Sequence, residues 1–314
     1  MLGFAVRSQN CSCGSGNMGA FANGALNDNV GFLNKNAWLI DLSYDNRSFS
    51  PYTSKEIAKM LEHNSDAIGI SNAWIASVKV SYGISDKFAL SVMQPYINIA
   101  TTINQKTDDE RYNTLNSAST NAFADLSVIS TYLFYNKNNI KFAVLTGIEL
   151  PTGKVPENQT NIIIGSSSFD PIIGLSGSKR MGKLIAKVNV GYKLTTKNSL
   201  GISYGDFLSH QIGLNYSLNK LPSKDSTCKE VGKKLLLMAG INLLGENLHP
   251  IKNNSTEIKN TGYYRNFVSP SFTIVFKERF VANTAVDIPV LQNNYGIQNA
   301  SSYRIRVGLS LKIN

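Results

Sequence analysis

The chain lacks any long hydrophobic run. Apolar stretches such as residues 235–239 stop far short of the roughly 18 to 20 residues that a membrane-spanning helix needs, which excludes a helical membrane protein. It also has few cysteines. Cys11, Cys13 and Cys228 are too few and too unevenly spaced for a disulfide scaffold, and they do not fix the redox compartment. Of the three histidines, His63 and His249 sit in polar stretches and His210 opens a strand, and the Ala/Glu/Leu/Lys mixture of soluble helices is thin. What remains is rich in Tyr, Phe, Asn, Ser and Gly, a composition of strands and turns. At 42% hydrophobic and 17% charged, the chain is ordered and long enough for one sizeable structure or two ordinary domains.

The net charge of +10 is compatible with nucleic acid, an anionic membrane surface or a basic pore. Its distribution argues against the first. Lysines and arginines are spread one or two per segment, with no cluster larger than Lys233-Lys234 or Lys179-Arg180, so no nucleic-acid partner is expected.

From Ala37 onward the sequence alternates with period two. In residues 302–314, Tyr303, Ile305, Val307, Leu309, Leu311 and Ile313 alternate with Ser302, Arg304, Arg306, Gly308, Ser310 and Lys312. The same pattern sets Leu184, Ala186, Val188, Val190 and Tyr192 against Lys183, Lys187, Asn189, Gly191 and Lys193, and it returns in residues 74–83 and 211–218. These are strands with one apolar and one polar face. Weaker segments at 38–44, 88–99, 123–135, 140–150, 169–179, 235–244, 267–276 and 280–291 bring the expected total to about twelve. Many approach the 9 to 11 residues with which a tilted strand crosses a bilayer, longer than strands of soluble sandwiches.

Connections give a second argument. Tight turns at 84–87, 136–139, 180–183 and 277–279 alternate with long polar stretches at 45–72, 101–121, 155–168, 247–266 and 292–301. Short periplasmic turns and long external loops are the asymmetry of outer-membrane barrels, and it places both termini on the periplasmic side. Residues 219–233 break the rule, being long where a short turn is expected. Tyrosines and tryptophans near strand ends, among them Trp38, Tyr44, Trp74, Tyr82, Tyr96, Tyr132, Tyr135, Tyr192, Tyr204 and Tyr303, fit aromatic girdles. One short helix is expected over residues 54–62, with Thr53 and Glu56 spaced as a capping box.

The expectation is therefore an all-β chain: a closed antiparallel transmembrane β-barrel of about twelve strands over residues 37–314, in the outer membrane of a Gram-negative bacterium with lipid and lipopolysaccharide around it. Residues 1–36 form a separate N-terminal segment, rich in Cys, Gly and Asn. Its first residues, 2–9, read either as the tail of a signal peptide or as an ordinary terminus, and residues 14–36 as a partial plug of the lumen.

In such a barrel the polar faces point inward, because a lipid-facing charge costs roughly 2 to 4 kcal/mol at the bilayer midplane. The expected lumen-lining residues are Lys79, Gln94, Asp125, Glu149, Lys187, Asn189, Lys193, Asn283, Asp287, Arg304 and Arg306. They line either a solute path or the packing of a narrow lumen. No catalytic constellation emerges. Ser209 and His210 are neighbours in a strand and point to opposite faces, so they cannot form a nucleophile and base. No cofactor is expected. Cys11 and Cys13 are the single candidate metal pair, suited to a soft ion such as Cu(I), with a strained bridge, lipid modification or an incidental leader as the other readings.

Residues 149–154 read Glu-Leu-Pro-Thr-Gly-Lys at the top of a strand. Residues 165–170 follow as Gly-Ser-Ser-Ser-Phe-Asp, then Ser-Lys-Arg-Met-Gly at 178–182 and Val-Asn-Val-Gly-Tyr at 188–192. This order resembles the outer-membrane family named for the meta-pathway of phenol degradation, over residues 78–218, and the Cys-x-Cys leader resembles some of its relatives. The resemblance implies a single-chain barrel and uptake of a small hydrophobic or aromatic solute, and it carries no catalytic residues. Two features depart from it: the chain ends Lys312-Ile313-Asn314 without a terminal aromatic, and the loops are Asn-rich. A structural or adhesion barrel with a closed lumen and partner-binding loops is the rival expectation, and an outer-membrane enzyme a third.

Overall fold

The computed structural model describes residues 33–62, 67–106, 112–153, 164–219 and 235–313. Sixteen strands and one helix fall within them, in the order β1 (Trp38–Phe49), α1 (Ser54–Leu61), β2 (Ala67–Gly83), β3 (Phe88–Lys106), β4 (Tyr112–Phe123), β5 (Leu126–Lys137), β6 (Ile140–Leu150), β7 (Asp170–Met181) and β8 (Leu184–Lys193). There follow β9 (Ile202–Ser203), β10 (Phe207–Ser217), β11 (Leu235–Leu248), β12 (Lys252–Asn253), β13 (Thr256–Glu257), β14 (Tyr263–Phe276), β15 (Phe280–Asn294) and β16 (Ser301–Ile313).

Each long strand pairs antiparallel with its neighbour in sequence, and β1 pairs with β16 on one side and β2 on the other, which closes the sheet on itself. The β4 and β5 segments share one wall position. Both pair with β3, β4 along Tyr96 to Lys106 and β5 along Phe88 to Met93, so they are a single strand broken at Ala124-Asp125. The three two-residue strands β9, β12 and β13 make a small separate sheet among the long loops. The barrel thus has twelve wall positions, as the alternation predicts. Closure gives each wall position a partner on both sides, the condition for a sheet to sit in hydrocarbon, and leaves only the β4 segment beyond the strand break with β3 as its one partner.

The alternation works as expected. On the outer face Leu42, Val78, Val92, Ile212, Leu214, Ile305 and Val307 are all exposed, an apolar belt for lipid. Trp38, Tyr82, Tyr132 and Phe142 gather toward the short-turn end, and Tyr44, Trp74, Tyr96 and Phe123 form a chain of ring contacts toward the other, as two girdles require.

Several strands run further than their hydrophobic pattern. β1 reaches Phe49, β2 starts at Ala67, and β3 and β4 form a hairpin across residues expected as loop. The 19 residues of β3 exceed what a membrane crossing needs. In these extensions the buried inward positions mix small, polar and apolar residues, among them Ala67, Ile70, Thr101 and Asn104, so the period-two signal fades while the ladder continues.

The helix forms where expected. Thr53 Oγ1 accepts from the Glu56 amide at 3.3 Å, and the Glu56 carboxylate accepts from the Thr53 amide at 2.8 Å. Residues 1–32, with the signal-peptide and plug readings and Cys11 and Cys13, lie outside the described residues, as does most of the exceptional connection at 220–234.

Candidate functional site

The inward face is the candidate site, and it divides into unlike sectors. Ladder partners define rows around the wall. One row runs Asp287, Arg304, Arg47, Ala73, Ile99, Thr120, from β15 through β16, β1, β2 and β3 to β4. The next runs Ala285, Arg306, Asp45, Ile75, Ile97, Ala122 along the same strands. Within six strands each row passes from charged to apolar.

The charged sector is an ion-pair network. Arg304 donates to Asp287 on the adjacent strand and to Glu246 on β11, three wall positions away, so it spans roughly 14 Å of wall at the usual strand spacing. Arg306 donates to Asp287 at 2.9 Å and to Ser269 at 3.1 Å. Arg47 holds Asp45 through two nitrogens, at 3.3 and 3.0 Å. Arg265, opposite Glu246 in the ladder, donates to the Asn294 side chain and the Asn299 carbonyl, both at 3.0 Å. The four arginines, Asp287 and Glu246 are buried, and Asp45 is half-buried.

The apolar sector joins Ile70, Ala73, Ile75, Ile97, Ile99, Ala122 and Ala124 of β2, β3 and the β4–β5 junction. Inward-facing isoleucines in a barrel would meet water if nothing covered them. Here Phe49, the last residue of β1, and Ile164 of the loop before β7 pack over them.

A second charged group faces the network from the opposite wall, on β5 to β8. Lys193 Nζ bonds Glu149 Oε1 at 2.8 Å, both buried. Asp125, at the strand break, accepts from the Gly153 amide at 2.7 Å and the Ser166 amide at 2.6 Å, tying both ends of the β6–β7 loop to the wall. Gly153 and Gly165 approach so closely there that a Cβ on either would meet the other's backbone. Asp170 accepts from Ser168 Oγ and the Thr196 amide, both at 2.9 Å. Burial, with the Asp125 charge nearby, pushes the Tyr204 phenol of the β8–β10 loop up to about 12, so it stays neutral.

Ten of the eleven expected lumen residues fall on the inward register. Asp125, Glu149, Lys187, Lys193, Asp287, Arg304 and Arg306 are buried there. Lys79 pairs with Asp41 at 3.0 Å, Asn189 accepts from Ser176 at 2.7 Å, and Asn283 stands opposite inward Gly308. Gln94 is a correction. It lies in register with Val78, itself opposite Leu42, and both of those are exposed on the lipid face. Its amide nitrogen donates to the Ala124 carbonyl at 2.8 Å and to Pro95 at 3.2 Å, completing the ladder where the strand breaks. A satisfied amide at that point is far cheaper than a charge.

The alternation missed Arg47, Glu246 and Arg265, which stand in segments expected as loops or counted by their apolar neighbours. Their spacing of two from Asp45, Leu244 and Phe267 was the available signal. Ser209 is in register with inward Glu246, while His210 lies against Gly245 on the outer face, so they do point apart. Among the described residues, no three His, Cys, Asp or Glu side chains are placed to hold a metal ion.

Comparison with known proteins fits this geometry. The profile of the family described as MetA-pathway of phenol degradation matches residues 70–223, which bears out the resemblance drawn from residues 149–192. No curated protein sequence matches the chain. Among solved structures, an outer membrane channel from Pseudomonas putida F1 aligns with a TM-score of 0.62 at 11% identity, covering 90% of this chain and 97% of that one. The NanC porin aligns with a TM-score of 0.47 at 11% identity, over 87% of this chain and all of that one.

Proposed function

Taking as premise that the chain is a twelve-stranded β-barrel of the bacterial outer membrane with the pattern of the phenol-degradation family over residues 70–223, we propose that it is a passive channel for a small hydrophobic or aromatic solute. The observation that carries this is the apolar sector inside the barrel. A water-filled pore has no use for Ile75, Ile97 and Ile99 on its inner wall, whereas an apolar solute needs such a surface. Phe49 and Ile164, which cover it, are end-of-strand and loop residues, the kind that move with external loops. The charged network on the remaining wall narrows the lumen and disfavours bulk flow of water and sugars.

The second reading is a structural or adhesion barrel with a shut lumen, and one observation favours it: Arg304 reaches across three wall positions to tie β16 to β11. Uptake into liposomes carrying the purified protein separates the two. Phenol-like compounds should enter several-fold faster than into empty liposomes, and sugars of similar size should not. No excess uptake of either removes the channel reading.

A further inference from the structure

The charged network is out of balance. Among the described residues of this sector, four guanidiniums, Arg47, Arg265, Arg304 and Arg306, face three carboxylates, Asp45, Asp287 and Glu246. The carboxylates are distributed to Arg47, Arg304 and Arg306, and Arg265 is the guanidinium left with neutral acceptors alone. Its Nη2 donates to Asn294 and Asn299, and its Nε is buried with no hydrogen-bond partner. A side chain 6% exposed, carrying a full charge and an unmet donor, is costly to hold in place. Barrel walls offer cheaper ways to fill this space, and a polar neutral residue would satisfy Asn294 and Asn299 as well.

The surroundings of Arg265 say what would satisfy it. Its guanidinium lies 4.0 Å from the Tyr263 ring centroid and 5.9 Å from that of Phe49, so aromatic faces flank it. Phe49 is also the side chain packed over the isoleucines of the apolar sector. One aromatic ring therefore touches both the unmatched cation and the apolar wall. A ligand that took the place of Phe49 would have its apolar body against Ile75, Ile97 and Ile99 and its anionic end at Arg265. The planar donor edge of a guanidinium matches a carboxylate best.

We infer that Arg265 is the headgroup site for an apolar solute bearing one carboxylate, and that such amphipathic acids, rather than neutral hydrocarbons, are the preferred cargo. This rests on the channel reading for its transport consequence, but the binding site itself does not. Phe49 closes the β1–β16 ladder opposite Ser301, just past a register shift between Ser48 and Phe49, and as the last residue of its strand it is the side chain that yields.

The test uses a matched pair of probes, benzoate and benzamide, alike in size and differing in charge. Equilibrium dialysis against the folded protein in a non-ionic detergent reads binding, and folding of each variant is verified by its gel migration before and after boiling. Benzoate should bind at least tenfold more tightly than benzamide. Arg265→Met should bring the two within about twofold by weakening benzoate alone, and Arg265→Lys should keep part of the preference. Glu246→Gln, which removes a competing carboxylate and keeps its shape, should strengthen benzoate binding several-fold. Equal binding of the two probes, or a benzoate affinity indifferent to Arg265→Met and Glu246→Gln, overturns the inference. Liposome uptake of the same probes is read separately. Charge-dependent binding without uptake would leave the Arg265 site standing and remove the channel, and uptake without charge preference would do the reverse.

Discussion

Asp287 serves two guanidiniums at once, one oxygen to Arg304 and the other to Arg306, and is itself wholly buried. Neutralising it leaves two cations without their shared counter-charge in a sector already rich in cation. Removing one partner of a buried pair costs about 3 to 5 kcal/mol, mostly as the penalty on the charge left behind. An Asp287→Asn variant should therefore lower the urea midpoint of the folded band by that order. A midpoint matching the parent would mean that water, not the carboxylate, solvates the two arginines. At this scale polarity was a good guide to facing: the charged residues of the mid-wall strands went inward because lipid penalises them heavily, while Lys179 stands on the outward register only beside the β7–β8 turn. Gln94 escaped that logic because an uncharged amide can stand on the lipid side once it finds two carbonyls, and a broken strand at Ala124 supplies one of them.

Turns and loops carry their own chemistry. The β5–β6 turn places Asn138 and Asn139 at positive φ, which asparagine tolerates and a two-residue hairpin of type I′ demands. The β14–β15 turn asks the same of Lys277 and Glu278, at φ 52° and 55°, and neither side chain suits the left-handed region. Replacing that pair by Asn-Gly should raise stability by about 1 to 2 kcal/mol, seen as a higher urea midpoint with unchanged binding and uptake. No rise would indicate that the turn is relaxed by contacts of its own. On the external side, Asp125 holds both ends of the β6–β7 loop. An Asp125→Ala change removes two charge-assisted bonds, each worth about 1.5 to 3 kcal/mol, so hydrogen exchange at the Gly153 and Ser166 amides should quicken tenfold or more. Unchanged protection would show the loop to be held by other contacts. The tight turns were legible in sequence because Asn, Gly and charge mark them. The Asp125 clamp was not, since it joins residues 28 and 41 positions apart, through backbone amides that leave no mark in composition.

For the whole molecule, closure and facing are one constraint. With each of the twelve wall positions paired on both sides, a slip of one residue would turn a full strand inside out, charge to lipid and apolar belt to lumen. The twelve-fold count could be read from period and turn asymmetry because both follow from crossing a bilayer. The heights of the strands could not, because beyond the bilayer the outward face no longer has to be apolar and the inward face, as at Ala67, Thr101 and Asn104, mixes small and polar residues. Nor could the division of the lumen into charged and apolar sectors. It arises from rows that join Arg304 to Arg47 across the closure of the barrel and then run through Ala73 and Ile99, cross-strand neighbours that no single segment displays. Facing can be tested around the circumference with single cysteines carrying a fluorophore, in liposomes whose lipid tails bear a quencher. Probes at Ile305, Val307, Ile212 and Val78 should be quenched several-fold more than probes at Asn283, Ser43 and Ser77, which the register turns inward. A reversal confined to β16 would locate a register error at its pairing with β1 or β15. A reversal throughout would place the charged rows in lipid, at roughly 2 to 4 kcal/mol for each Lys or Arg at the midplane, which a barrel with Arg304 and Arg306 on one strand could not bear.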